Sequence, residues 1–538
     1  MKKIIFPLFI TFFSFLTVTA QPGGSSFKDQ EVNSLNKLGT AFSSIIRFYV
    51  DETNNPKLVE DAIKAMLENL DPHSTYSNAE ETRKLNEPLE ANFDGIGIQF
   101  NMLLDTLYIL QVIAGGPSEK VGLLAGDRII TVNDTLIAGV KMSNTDVIKL
   151  IRGKKGTTVR IKVKRYGSPD LLDFLIIRDH IPYYSIDASY MADANTGYIR
   201  LSRFSATTLE EFKTAVVNLQ KKGMKNLILD LQENGGGYLH ISYAIADQFL
   251  EKDKLICYTK GDKMRRSDAF STNEGIFKEG KLVLIINEAS ASASEIVAGA
   301  IQDWDRGVIV GRRSFGKGLV QRAIDLPDSS MIRLTIARYY TPSGRNIQKP
   351  YEKGNSESYN LDISNRFYNG EFVNADSIHF PDSLKYSTLL SKRTVYGGGG
   401  IMPDIFVPLD TTRYTDYHSK LNRLGVINRF SMSYLDRNRQ ELNKKYTDIY
   451  SFKENFTITE EMLKELVALA EEYKIEFIEE QFNKAKSYIS LQLKAYIASD
   501  LFASNEYFQI INERNDSYQQ ALQIINNDEQ YNKILRGR

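Results

Sequence analysis

The stretch from Leu282 to Gln321 constrains the fold of this chain more than any other part of it. It opens with an apolar, β-branched run, Leu282 to Ile286, which predicts a buried strand. A segment of small residues follows, and apolar residues then recur at helical spacing from about Ala293 to Trp304, which predicts a helix. A second apolar run, Val308 to Val310, predicts another strand. This order of elements is typical of an α/β layer.

Two side chains in this stretch stand out chemically. A serine in the turn before the predicted helix lies where free N–H groups and the positive helix end converge, which favours a developing negative charge. Lys317 follows the second strand, in the segment Ser314-Phe315-Gly316-Lys317-Gly318. The working hypothesis is a serine nucleophile with a lysine base. Because a lysine in water has a pKa of about 10.4, such a base needs burial to supply a neutral amine.

Composition narrows the function classes. Lys+Arg and Asp+Glu both number 67, so nothing in the overall charge points to nucleic acid or to an anionic surface. The single cysteine, Cys257, excludes an intrachain disulfide and a multi-cysteine metal site. The five histidines form no HExxH pair, so metal catalysis has no support and we expect no cofactor. The length of 538 residues predicts roughly three or four domains.

The N-terminus has the layout of a signal peptide. Lys2 and Lys3 precede an apolar segment from Ile4 to about Val18, and small residues stand before Gln21. The alternative is an uncleaved membrane anchor, but the segment is short for a membrane span. We therefore predict a signal peptide at residues 1–20, export to the bacterial periplasm or secretion, and no stable membrane span after cleavage.

Residues 91–179 show a different sequence pattern, in which turns that contain glycine separate short apolar runs. The turn Gly95-Ile96-Gly97-Ile98 enters a predicted strand, and Leu123 to Ile130 holds a second glycine turn before another strand. This region resembles a PDZ domain, in which N–H groups of such a loop cradle a peptide's terminal carboxylate and the next strand adds the peptide to a sheet edge. Gly95, Ile96, Gly97 and Ile98 are the predicted peptide-binding residues.

The rest of the chain divides by pattern. Residues 21–90 are predominantly helical, residues 180–410 alternate strands with helices, and residues 411–538 are helical and charged. The last region shows no chemistry and is interpreted as a packing or dimerisation module.

The lysine segment partly matches two other motifs, the phosphate loop of nucleotide-binding proteins and the SxxK motif of penicillin-binding proteins. Gly311 to Gly318 fits GxxxxGK after a strand, but Gly318 stands where a phosphate loop needs Ser or Thr for magnesium. Ser314 to Lys317 fits the SxxK motif of penicillin-binding proteins. That motif needs both residues on one helical turn, whereas Gly316 and Gly318 disfavour a helix and no SDN or KTG companion appears.

A structural interpretation of the serine segment competes with the catalytic one. Ser292-Ala293-Ser294-Glu295 reads as a capping box, in which serine and glutamate only satisfy the N–H groups of the helix start. Taken alone, this segment favours the cap over a nucleophile.

The longer pattern resembles the carboxy-terminal processing (tail-specific) serine peptidases. The resemblance covers roughly residues 40 to 410 and is carried by four segments besides the PDZ-like region: Asn234-Gly235-Gly236-Gly237, Glu288 to Ile296, Phe315 to Gln321 and Gly398 to Asp404. It implies a multidomain α/β protein. Its parts would be a crotonase-like α/β protease core, an inserted PDZ domain, an N-terminal helical segment and a C-terminal helical region.

The same resemblance assigns site residues. It implies Ser292 as nucleophile, Lys317 as base, Gln321 as the amide that orients the lysine, and the backbone N–H groups of Gly236 and Ala293 as oxyanion donors. The implied activity is cleavage of proteins near their C-termini, with protein or peptide substrates that have apolar C-terminal tails. The sequence does not decide whether the chain forms a homo-oligomer.

Two residues argue for alternatives. Gln232 stands where the family commonly has Arg, which favours a peptide-binding scaffold that has lost catalysis. His240 suggests a Ser-His pair, but no aspartate partner is evident, so we interpret it as a surface or packing residue. A crotonase-like acyl-CoA enzyme would also use paired N–H groups, although its cytosolic setting conflicts with the leader.

Overall fold

The computed structural model describes residues 29–103, 105–113, 115–413 and 415–537. The predicted signal peptide lies outside these residues. The chain divides into two compact units, one up to Ala65 and one from Met66 onward. The described part of the first unit holds two amphipathic helices, α1 (Asp29–Phe48) and α2 (Asn55–Glu68), the latter as far as Ala65. No residue of α1 is buried.

The second unit begins with the end of α2, residues 66–68, and a loop, and short elements lead from there to a small antiparallel domain. Its first elements are β1 (Thr75–Ser77) and α3 (Ala79–Asn86). The region predicted as a PDZ domain follows, as β2 (Asn92–Gly95), β3 (Ile98–Leu103), β4 (Thr106–Val112), α4 (Pro117–Lys120), β5 (Arg128–Val132), β6 (Thr135–Leu136), α5 (Asn144–Ile151), β7 (Thr158–Lys164), β8 (Leu172–Ile177) and β9 (Asp179–Pro182).

This small domain has its own sheet and core. The strand order is β3-β4-β5-β7-β8, with β6 paired to β5, and the strands enclose a core of aliphatic residues such as Ile109, Val132 and Ile161. Strand β3 lies at the edge of that sheet, and β2 and β9 form a separate antiparallel ribbon where the chain enters and leaves the domain.

The central region alternates strands and helices as predicted. Its elements are β10 (Ile186–Met191), β11 (Thr196–Leu201), α6 (Thr208–Lys221), β12 (Asn226–Asp230), α7 (Leu239–Asp247), β13 (Leu255–Lys260), β14 (Ser267–Phe270), β15 (Leu282–Ile286), α8 (Ala293–Asp303), β16 (Val308–Gly311), β17 (Leu319–Asp325), β18 (Met331–Tyr340), α9 (Ser356–Asn360), α10 (Asp362–Tyr368), β19 (Lys385–Ser387), β20 (Thr394–Tyr396) and β21 (Ile405–Phe406), with 3-10 turns at Ala375–Ser377 and Asp382–Leu384.

Two sheets organise this region. The first has the order β10-β11-β12-β15-β16-β21, and it is parallel from β11 to β21. The second is antiparallel, with the order β1-β18-β13-β14 and β17 paired to β18. Strand β15 is buried on both faces, because Leu284 contributes to the core under α6 to α8 while Val283 and Ile285 face the opposite side. A strand of this kind reads as a continuous apolar run, as the sequence does here.

The C-terminal region is helical, as predicted. It comprises α11 (Asp416–Arg423), α12 (Val426–Lys445), α13 (Ile449–Asn455), α14 (Glu460–Glu472), α15 (Glu479–Leu501), α16 (Ser504–Ile511), a 3-10 turn at Asn512–Arg514, α17 (Asp516–Ile525) and α18 (Asp528–Arg536). Helices α11 to α15 enclose a core of their own. Helices α17 and α18 instead cover the second face of the parallel sheet, where Ala521 and Ile524 pack beside Val283.

Cys257 on β13 is buried, and burial raises the pKa of its thiol to about 12. None of the helices in the described part of the chain is long and apolar enough to cross a bilayer.

Candidate active site

The serine segment lies at the end of strand β15 and starts helix α8. Ser290 and Ser294 are fully buried, and their hydroxyl groups donate to the backbone carbonyls of Leu231 at 2.7 Å and Asn234 at 2.9 Å. Ser292 lies between them, is partly exposed and lines a cleft of about 640 Å³. Its φ of 57° and ψ of −112° fall outside the regions that non-glycine residues favour. Strain of this kind is often found at functional sites.

The glycine turn after β12 approaches the same serine. Gly236 has a φ of +104°, and a Cβ atom at this position would lie 2.8 Å from Cβ of Ser292. Only glycine therefore lets this backbone come so close to the serine. Gly236 lines the same cleft as Ser292.

The two predicted oxyanion donors differ in their surroundings. The N–H of Gly236 donates to Oδ1 of Asn234 at 2.9 Å, whereas no acceptor among the described residues takes the N–H of Ala293. Ala293 is the first residue of α8, where backbone N–H groups have no partner within the helix. An oxyanion at this place would accept from Ala293 directly and would have to replace Asn234 as the acceptor for Gly236.

Lys317 lines the same cleft, two residues before the start of strand β17. Its Nζ donates to Oε1 of Gln321 at 3.1 Å, and Nε2 of Gln321 donates in turn to the backbone carbonyl of His73. The pKa of Lys317 is lowered mainly by burial and further by the charge of Arg333, against the opposing charges of Glu295 and Asp71. The direction is the one that a lysine base needs, since only the neutral amine accepts a proton.

Glu295 holds the backbones of the serine and lysine segments together. Its Oε2 accepts from the N–H of Ser292 at 2.8 Å and from the N–H of Lys317 at 2.9 Å. The two nitrogens therefore cannot be further apart than the sum of those distances. Its Oε1 accepts from the Ser314 hydroxyl at 2.5 Å and from the N–H of Gly316 at 2.7 Å.

The predicted capping contact of Glu295 is thus only one of the contacts that its side chain makes. Its carboxylate does accept the N–H of the residue that starts the helix, as a capping box requires. The same side chain is fully buried, and burial raises its pKa to about 7 against the effect of its hydrogen bonds. Sequence analysis missed the contacts to Ser314, Gly316 and Lys317.

Tyr339 makes a second link between the two segments. It is buried on β18, and its hydroxyl lies within hydrogen-bonding distance of the backbone carbonyls of Ser292, at 3.2 Å, and of Lys317. Nothing in the sequence distinguishes this tyrosine from the 28 others.

A loop from the start of the second unit completes the lysine side of the site. Asp71 accepts from the N–H groups of His73 at 2.8 Å and Ser74 at 3.0 Å and from the Thr335 hydroxyl at 3.0 Å. This fixes the His73 carbonyl that accepts from Gln321. The role of this loop is not evident in the sequence, because Asp71-Pro72 is an ordinary signal for the end of a helix.

His240 is exposed at the rim of the cleft, with its ring 5.4 Å from that of Tyr238. Among the described residues, the structure records no hydrogen bond that joins it to Ser292.

The predicted peptide-binding loop lies at the edge of the small domain. Gly95 ends β2, Ile98 starts β3, and Gly97 between them has a φ of +77°. Ile96 is buried in the domain core. The N–H groups of Ile96 and Gly97 have no acceptor among the described residues, and the edge of β3 next to them is unpaired there. The arrangement can accept a carboxylate and an added strand.

Sequence families match most of the chain in separate parts. Peptidase family S41 matches residues 195–354, and the PDZ domain family matches residues 95–174. The activating protease CtpB N-terminal domain matches residues 16–82, and a family of unknown function matches residues 417–503.

Curated relatives match over a longer range. The carboxy-terminal-processing protease of Bartonella bacilliformis is 35% identical over 353 residues, which cover 64% of this chain and 80% of that protein. The carboxy-terminal processing protease CtpA of Bacillus subtilis is 35% identical, over 61% of this chain and 70% of its own length. CtpB of the same organism is 32% identical over 442 residues, which cover 80% of this chain and 89% of that protein. The chain is therefore a member of peptidase family S41, the carboxy-terminal processing proteases, and it carries a PDZ domain.

Proposed function

We propose that this chain is an exported serine endopeptidase that cleaves proteins near their C-termini with a Ser292–Lys317 dyad. The observation that carries the proposal is that Ser292 and Lys317 line one cleft, with their backbones held by a single carboxylate of Glu295. The lysine amine contacts a neutral amide, Gln321, rather than a carboxylate. An amide orients the amine without stabilising its charged form.

The proposed reaction follows the usual course of acyl transfer by a serine. The neutral amine of Lys317 takes the proton of the Ser292 hydroxyl as its oxygen attacks the peptide carbonyl. The protonated lysine then gives that proton to the departing amine, and an acyl ester on Ser292 remains. Water, deprotonated by Lys317, then attacks the ester carbonyl. The protonated lysine returns that proton to the departing oxygen of Ser292, and the new carboxylic acid is released and ionises. The N–H groups of Ala293 and Gly236 would stabilise the oxyanion in both steps.

The test uses single substitutions in the purified protein. Ser292→Ala and Lys317→Met are each expected to lower kcat/KM on an unfolded protein substrate at least about a thousandfold, because the residues act as one unit. Ser290→Ala is the matched control, since its hydroxyl is buried, donates to the carbonyl of Leu231 and does not line the cleft. Full activity in either dyad variant would exclude the dyad while leaving the family membership intact.

Substrate recognition by the PDZ loop is part of the same proposal. The two N–H groups beside Gly97 and the unpaired edge of β3 support binding of a free C-terminal carboxylate in an extended peptide. We expect an apolar tail, because the β3 residues Ile98 and Phe100 pack toward the domain's aliphatic core. Amidation of the terminal carboxylate is expected to raise KM about tenfold or more for an apolar-tailed protein, and an unchanged KM would exclude this mode.

Export and self-association are proposed on separate grounds. The signal-peptide layout of residues 1–20 supports export to the periplasm or secretion, and N-terminal sequencing of the mature protein would test it. The exposed apolar residues Leu35, Leu38 and Ile45 of α1 support a homo-oligomer, since such surfaces commonly mark interaction sites. Light scattering of the full chain measures its mass directly.

The alternative, a catalytically impaired scaffold, rested on Gln232. Its side chain accepts from Asn515 of the C-terminal region at 3.1 Å and does not line the cleft of Ser292. Its neighbour Asp230 is paired with Arg200 at 2.9 Å. These contacts favour a structural role for Gln232. Tail binding without turnover by the unsubstituted chain would favour the scaffold.

A further inference from the structure

The cleft around Ser292 is cationic. The basic residues among the described residues that line it are Arg203, Lys317 and Arg333, with His240 at the rim, and none of the lining residues is an aspartate or a glutamate. Arg203 and Lys317, the second of which is the proposed neutral base, each have a partner. The amine of Lys317 is hydrogen-bonded to the side-chain amide of Gln321. The guanidinium of Arg203 lies over the ring of Tyr183, 4.2 Å from the ring centroid.

Arg333 differs from three arginines of the core that have acidic partners. Arg312 pairs with Glu288 at 2.7 Å, Arg345 with Asp303 at 2.8 Å and Arg393 with Asp305 at 2.8 Å. The guanidinium of Arg333 makes no hydrogen bond or ion pair with any residue that the structure describes, although its side chain is only partly exposed. Burial lowers its pKa. A partly desolvated charge without a partner costs free energy that a bound anion would recover.

The position of Arg333 suits a substrate contact. It lies on β18, opposite Ala323 of β17, and both residues line the cleft. The charge of Arg333 also acts on Lys317, so the guanidinium lies near the proposed base. A side chain carried on a paired strand is held more firmly than one on a loop. Guanidinium presents paired donors that match a carboxylate better than any neutral group.

We propose that Arg333 forms a binding subsite for a carboxylate of the substrate peptide, close to the bond that is cut. This inference rests on the proposed peptidase function and names a preference within it. The carboxylate has two sources of the same chemistry: an acidic side chain near the scissile bond, or the new terminal carboxylate that hydrolysis creates. Neither source is the original C-terminus, which the PDZ loop is proposed to bind.

The first experiment measures binding without turnover. Peptides with an amidated C-terminus and a single Glu placed at successive positions are compared with the same peptides carrying Gln, by fluorescence anisotropy on the Ser292→Ala chain. At one position the Glu peptide is expected to bind about tenfold more tightly, which corresponds to about 1.4 kcal/mol. Because no cleavage is needed, failure of the dyad does not affect this result.

Variants then assign the effect to one residue. Arg333→Met, which keeps much of the length and removes the charge, is expected to abolish the preference for Glu, and Arg333→Lys to retain part of it. Arg338→Met is the matched control, since Arg338 lies on the same strand but is exposed and does not line the cleft. The neutral Gln peptides should bind all four chains alike, which shows that the variants are folded.

The second arm separates the two sources of carboxylate. Short product peptides that end at the cut are tested as competitors in free-acid and amidated form. If Arg333→Met removes the preference for Glu peptides, the carboxylate comes from an acidic side chain. If the free-acid product peptide competes about tenfold more strongly than its amide, and Arg333→Met weakens this competition, the carboxylate is the new C-terminus of the product. The proposal is overturned if Glu and Gln peptides bind equally at every position and the acid and amide compete equally. It is also overturned if the preferences survive in Arg333→Met.

Discussion

Glu295 shows how one side chain can fix two distant parts of a site. Four donors converge on its carboxylate, from Ser292, Ser314, Gly316 and Lys317. In Glu295→Gln, one oxygen becomes an NH₂ group that faces two donors. We expect a loss of about 2–4 kcal/mol in the free energy of unfolding, because buried donors lose their acceptor, and a fall of about a hundredfold in kcat/KM, because the two segments shift.

Urea unfolding and steady-state kinetics measure these changes, with the exposed Glu279→Gln as control. The pH dependence gives an independent readout. The pKa of Glu295 is raised to about 7 in the folded chain from an ordinary 4.5, so the folded state binds the extra proton between these values. Its contribution to stability therefore falls as the pH rises from about 4.5 to about 7 and is level above. A Glu295→Gln chain with the same pH slope as the parent would contradict this account.

Gly236 provides a second prediction for a single residue. In Gly236→Ala the new Cβ would meet Cβ of Ser292 at 2.8 Å and the carbonyl of Ala291 at 3.0 Å, at a φ of +104°. We expect a stability loss of about 1–3 kcal/mol and a loss of most peptidase activity. The adjacent Gly235→Ala is the control, because its Cβ would meet no atom within 4 Å. Equal activity in the two variants would refute the close approach of this turn to the serine.

At the scale of elements, the loop at Asp71 and the strand β17 act together on the lysine. Asp71 holds His73, the His73 carbonyl accepts from Gln321, and Gln321 accepts from Lys317. Asp71→Ala should release the loop and leave the Gln321 amide free to rotate. We expect kcat to fall about tenfold to a hundredfold with KM nearly unchanged, since Asp71 is buried and does not line the cleft.

The control for this loop is the exposed Thr75→Ala on the neighbouring strand. An unaltered kcat in Asp71→Ala would show that Gln321 keeps its orientation by other means. Loss of both kcat and thermal stability to the same extent in Asp71→Ala and Thr75→Ala would point to general unfolding instead.

Patterns within one element were readable from the sequence, and contacts between elements were not. The apolar run of β15 and the periodicity of α8 predicted both elements, and the structure starts α8 at Ala293 as expected. The PDZ-like domain and the α/β core were also predicted. The hydrogen bond from the N–H of Lys317 to Glu295 depends on a turn that no local sequence pattern specifies. The contact between His73 and Gln321 joins residues 248 positions apart. Local propensity carries no information at that range.

At the scale of the molecule, the C-terminal helices do more than cover the sheet. Asp436 on α12 accepts from the Tyr108 hydroxyl of the PDZ domain at 3.1 Å and pairs with Arg128 of the same domain. Asn428 of α12 accepts from Asn101 of β3 at 3.2 Å. The helical region therefore contacts β3, the strand that is proposed to receive the substrate tail.

Asp436→Ala should loosen this contact. We expect a modest loss of about 1 kcal/mol in stability, because Arg128 is 42% exposed and solvent screens the pair. Amide hydrogen exchange in β4 and β5 should become faster, since the domain loses part of its support. Glu465→Ala removes a surface pair with Arg437 inside the helical region and serves as control. Unchanged exchange in Asp436→Ala would show that the contact does not restrain the domain.

Because the thiol of Cys257 is buried, motions of the PDZ domain relative to the protease core can be followed with probes attached to introduced cysteines. It is the only cysteine of the chain, it is 1% exposed, and a pKa of about 12 leaves almost no thiolate at neutral pH. Maleimide or spin-label reagents should therefore pass over the unmodified protein. A pair of cysteines introduced on α5 and α6 would carry probes at those two places alone, and distances between the PDZ domain and the protease core could then be followed during turnover without first removing a native residue.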